Sequence, residues 1–144
     1  MVEKDTVKLL RECDAGALMG IKSIDDVLDS VKSEKLKACL SECRERHERL
    51  RGEIKEKLEA CQDDGKEPSA VARTMSWIKT NVMLSMHDSD RTVADLMTDG
   101  CNMGVKSLNR YLNQYEAADE RSKDIAKRLI KLEEKRAQDV REFL

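Results

Sequence analysis

The chain has 144 residues, 39% of them charged and 3% aromatic, with Lys plus Arg (27) nearly balancing Asp plus Glu (29). That length suits one domain, and few aromatics with a single proline describe charge-laced helices rather than a sheet protein. Balanced charge provides no field to gather nucleic acid or an anionic membrane surface, and no apolar run approaches the ~20 residues of a membrane span.

The charged start Met1-Val2-Glu3-Lys4-Asp5 leads into no apolar signal core. Five cysteines lie on helix-patterned segments without a Cys-x-x-Cys pair, as expected of reduced thiols, so the expected address is cytoplasmic.

In chain order, Val7, Leu10, Ala17, Ile21, Ile24, Leu28 and Val31 follow the spacing of one helix face and predict a helix over residues 6–31, with Asp14 inside its apolar stripe. Ser33 reads as the N-cap of a second helix. Its seam of Leu36, Leu40, Cys43, His47, Leu50, Ile54, Leu58 and Cys61 is nearly heptad-regular. The short turn between the two forces an antiparallel hairpin over 6–62. Gly65 suits a left-handed cap and Pro68 a first helical turn, which predicts a crossover helix over 68–86 carrying Val71, Met75, Trp77, Ile78 and Val82. After the break at His87-Asp88-Ser89-Asp90, a fourth helix follows Val93, Leu96, Met97, Cys101, Val105, Leu108, Leu112 and Tyr115. A tight turn at Ala117-Ala118-Asp119 then leads to a fifth, whose inner face is Ile125, Leu129, Leu132, Val140 and Phe143, closing a second hairpin over 90–144.

The segment Gly16-Ala17-Leu18-Met19-Gly20-Ile21-Lys22-Ser23-Ile24 returns 84 residues later as Gly100-Cys101-Asn102-Met103-Gly104-Val105-Lys106-Ser107-Leu108. A glycine inside a helix costs about 1 kcal/mol relative to alanine. Four of them call for an offset, for which close approach of two helix backbones about a pseudo-two-fold axis is the simplest expectation.

Two αα-hairpins joined by a crossover resemble the ferritin-like superfamily. Cys13-Asp14, Gly20, Met75-Ser76-Trp77-Ile78-Lys79-Thr80 and Gly100 to Tyr111 are similar to a bacterial family of that fold known only as a domain of unknown function. The resemblance implies an all-α ferritin-like four-helix bundle in a single domain over 1–144. Metal enzymes of that superfamily place a carboxylate on each of two helices and Glu-x-x-His on each of the other two. Here the residue three before His47 is Arg44, the fifth helix has no histidine, and Cys101 stands where related chains tend to carry an acid. The resemblance therefore implies the fold and not di-iron chemistry.

Cys39, Cys43 and His47 repeat at i, i+4 and i+8, and a Cys–His pair at that spacing can offer two soft ligands to one ion. With Asp14 and Cys101 reaching across the bundle, Asp14, Cys43, His47 and Cys101 form a candidate site for zinc or iron. The competing reading makes His47 a core residue bonded to one polar partner, and Asp14 either a partner of a base on the second helix or a solvated edge residue. The chain shows no phosphate loop and no nucleophile–base–acid set. The expectation is a non-catalytic binding or scaffold protein, with no cofactor required. Its partner is another protein or a second copy, met through an outer patch near Met83, Met86 and Leu96.

Overall fold

The computed structural model describes residues 3–61 and 89–144. They form four helices, α1 (Lys4–Leu28), α2 (Glu34–Ala60), α3 (Ser89–Gln114) and α4 (Glu120–Val140), and a 3-10 turn at Arg141–Phe143. There is no strand among them. The predicted crossover helix, with Gly65, Pro68, Trp77, Met83 and Met86, lies outside the described residues.

Local chemistry sets the helix ends. Ser33 caps α2, its hydroxyl accepting from the Leu36 N–H at 3.2 Å, and Asp119 caps α4 by accepting from the Ser122 N–H at 2.8 Å. The first helix stops three residues short of Val31, because the N–H groups of Ser30 and Val31 turn back to Val27 and Leu28. Val31 is buried all the same, as part of the turn.

Two clasps fix the helix directions. Backbone N–H groups of Lys32 and Ser33, in the turn after α1, donate to the Asp90 carboxylate at the start of α3, at 2.7 and 2.9 Å. At the other end, the N–H groups of Ala117 and Asp119, in the turn after α3, donate to Asp5 and Thr6 at the start of α1, at 3.1 and 2.8 Å. Thus α1 is antiparallel to α3, and the order is up, down, down, up. Cys61 packs at one end with Leu9 and Leu58, while Val93 packs at the other with Val27 and Val31. Pairs from Lys35–Glu142 through Glu53–Arg128 to Lys57–Asp119 lace α2 along α4.

The core is divided. One apolar cluster joins Leu9, Leu10, Leu50, Ile54, Leu58, Leu108 and Leu129, and the other joins Ile24, Val27, Leu36, Leu40, Val93, Met97 and Val140. Leu96, expected on an outer face, is buried in the second.

Candidate functional site

Between the two clusters lies a layer of buried polar side chains contributed by three helices. From α2, His47 is fully buried; from α4, Glu133 and Arg136 are each 4% exposed; from α3, Cys101 is fully buried. The α1 contribution is the absence of a side chain. A Cβ on Gly20 would stand 2.7 Å from Cδ2 and 2.8 Å from Nε2 of His47, so the imidazole occupies the space that glycine leaves. Gly104 on α3 plays the same part more loosely for Glu133, whose Oε2 would lie 3.3 Å from an added Cβ. The two glycines are equivalent in the sequence repeat. What offsets their cost here is a close side chain rather than the expected second helix backbone. Gly16 meets only ordinary contact with Leu129, and Gly100 has nothing within 4 Å.

The hydrogen bonds run as a chain. His47 Nδ1 donates to the Cys43 carbonyl at 2.8 Å, and Nε2 donates to Glu133 Oε1 at 2.8 Å. Glu133 Oε2 accepts from Arg136 Nη2 at 2.7 Å, and Arg136 Nε donates to Cys101 Sγ at 2.8 Å. The Cys43 thiol lies 3.5 Å from His47 Nδ1. Burial alone would drive the imidazole neutral, but the bonds to Cys43 and Glu133 override it and hold His47 up at about 9. Burial likewise works against the Glu133 carboxylate, yet Arg136, His47 and the Cys101 thiol keep it below the usual range. Burial pushes Cys101 up to about 12, which leaves it a neutral thiol. No protein-family model, curated protein or solved structure matches this chain.

The sequence-predicted site residues are thus distributed as follows. Cys43 and His47 are neighbours, and Cys101 reaches the same layer through Arg136. Asp14 is buried apart, accepting from Arg51 Nε at 3.0 Å, the helix-two base of the alternative reading. Among the described residues no group of three or more His, Cys, Asp or Glu side chains is placed to hold a metal ion. Both nitrogens of His47 are already engaged, one by a carbonyl and one by a carboxylate.

Periodicity passes over Glu133 and Arg136. The apolar ladder of α4 through Leu129 is carried on by Leu132, which proves only half-buried, while Glu133 and Arg136 occupy the inner positions before Val140. A usable signal existed in the counting from the helix caps. His47 lies fourteen residues beyond Ser33, and Glu133 fourteen beyond Asp119. A lone inward histidine in one hairpin therefore points at the charged residue of equal rank in the other.

Proposed function

We propose that the chain is a ferritin-like four-helix bundle serving as a non-catalytic cytoplasmic binding or scaffold module, its centre closed by an ionic layer. Supporting the fold are the up-down-down-up order, the placing of Cys61 and Ser89 at opposite ends, and the matched ranks of Gly20 with Gly104 and His47 with Glu133. The observation that carries the functional reading is that the groups a metal would need are spent on one another. Glu133-x-x-Arg136 keeps the spacing of a Glu-x-x-His pair but sets a guanidinium, which has no lone pair to give, at the second position.

The test is titration of chelator-treated protein with cobalt and zinc, followed by calorimetry and thermal unfolding. The expected result is no stoichiometric uptake and an unmoved midpoint, whereas a metal at a hundred times its Kd would add about 2.7 kcal/mol. Stoichiometric binding lost in His47→Ala would overturn the reading in favour of a zinc or iron protein.

The partner proposed is a second copy. Met19 and Met103, equivalent in the repeat, are the exposed large apolar side chains within the described helices. Sedimentation equilibrium is expected to show association that the double change Met19→Glu with Met103→Glu removes. A monomer at high concentration would leave a different protein as the partner.

A further inference from the structure

Cys39 and Cys43 stand one helical turn apart on α2 and wall the same narrow cleft between α2 and α4. Cys39 is half-buried and Cys43 is 8% exposed, so the pair runs from the surface inward. Both are free thiols with weak contacts. The Cys39 thiol donates to the Leu36 carbonyl at 3.4 Å, and Cys43 Sγ lies 3.5 Å from His47 Nδ1. Side chains at this spacing have Cβ atoms about 5–6 Å apart. Two metal–thiolate bonds in line need about 4.6 Å between sulfurs, which rotation of the two thiols spans without moving the backbone.

The surroundings select the ion. The cleft has a volume of about 10 Å³, space for one water molecule at most. It leaves no room for the further donors of a tetrahedral zinc, whereas two thiolates alone suit copper(I), a soft ion. Charge points the same way. His47 donates through Nδ1 to a carbonyl and through Nε2 to Glu133, so its ring is an imidazolium. Arg136, on the cleft wall with Cys43, is always protonated. The layer thus sets two cations against one carboxylate, and Asp14 is committed to Arg51. Glu42 and Asp139, on the same walls, are matched by Arg46 and Lys135 at 2.8 and 2.9 Å. Two thiolates around a divalent ion are neutral, but around a monovalent ion they carry one negative charge, which offsets the excess beside them.

We infer that Cys39 and Cys43 form a site for one copper(I) ion, held in line between their sulfurs in the α2–α4 cleft. Each S–H bond gives way to an S–Cu bond, two protons leave to solvent, and no electron is transferred. The site goes beyond the scaffold reading and uses no side chain of the ionic layer as a ligand, so this titration and those with cobalt and zinc can fail separately.

The test is anaerobic titration of the fully reduced chain with copper(I) held by bicinchoninate, followed by X-ray absorption on the loaded protein. One ion per chain is expected to leave the chromophore, and the absorption spectrum to show two sulfur neighbours and no third ligand. Cys39→Ser and Cys43→Ser are each expected to lose that ion, while Cys61→Ser keeps it. Should Cys43→Ser fail to fold, Cys39→Ser at its half-buried position decides the matter. No transfer from bicinchoninate would overturn the proposal. Undiminished binding in Cys39→Ser would do the same, as adventitious binding by other thiols, and so would loss in Cys61→Ser. A nitrogen or third sulfur neighbour at the copper also counts against it, because the ion would then sit on other groups.

Discussion

At the scale of single residues, the four repeat glycines separate by what an added methyl group would meet. Gly100→Ala gains up to about 1 kcal/mol of helix propensity in open space. Gly20→Ala gains the same but drives a Cβ into an imidazole bonded at both ends, and the expected balance is a loss of about 1–3 kcal/mol. Urea unfolding of the two variants checks the opposite signs. Glu133→Gln strands two buried cations and is expected to cost about 3–5 kcal/mol, with His47 titrating well below its native value in an NMR titration. The pH dependence has a definite sign. Because His47 is raised from 6.5 to about 9, its contribution of about 3 kcal/mol is complete below pH 6.5 and lost as the pH rises through about 9. Glu133 works oppositely, its contribution present at neutral pH and lost as acid protonates the depressed carboxylate. Chemical unfolding at a series of pH values should show the alkaline loss, and Glu133→Gln should blunt it.

Among the elements, the clasps do what the packed faces cannot. Apolar stripes bring helices together but tolerate sliding, whereas an Asp90 carboxylate holding two turn N–H groups fixes how far α3 extends past the turn between α1 and α2. Asp90→Ala is expected to cost about 1–3 kcal/mol and to speed amide exchange at Lys32 and Ser33, which hydrogen–deuterium exchange reads site by site. Helix spacing made the two hairpins legible, because apolar positions recur every three or four residues and Ser33 and Asp119 are strong caps. The clasps were not legible, since Asp5, Thr6 and Asp90 act across 57 to 113 residues of sequence and periodicity is a local signal. The centre fell between: Cys43, His47 and Cys101 stood out as chemistry-bearing types. Glu133 and Arg136 were hidden among the many charges of α4, because charge there normally marks the solvated face.

For the molecule as a whole, the ionic layer separates two apolar clusters at mid-length. A helix displaced by one turn would carry His47 or Glu133 into hydrocarbon, so the layer sets the register of α2 against α4 at a cost in stability. The simultaneous change His47→Leu, Glu133→Leu and Arg136→Met is therefore expected to equal or exceed the native chain in thermal stability, even though each single change lowers it. Calorimetry on all four proteins tests that non-additivity. The same interdependence has a historical side. Each member of the layer is indispensable while the others remain, so the site is shielded from gradual change: random drift can replace surface lysines one by one, but the centre can be abandoned only by several substitutions arriving together. Any descendant of this chain should therefore keep His47, Glu133, Arg136 and Gly20 as a set or lose them as a set.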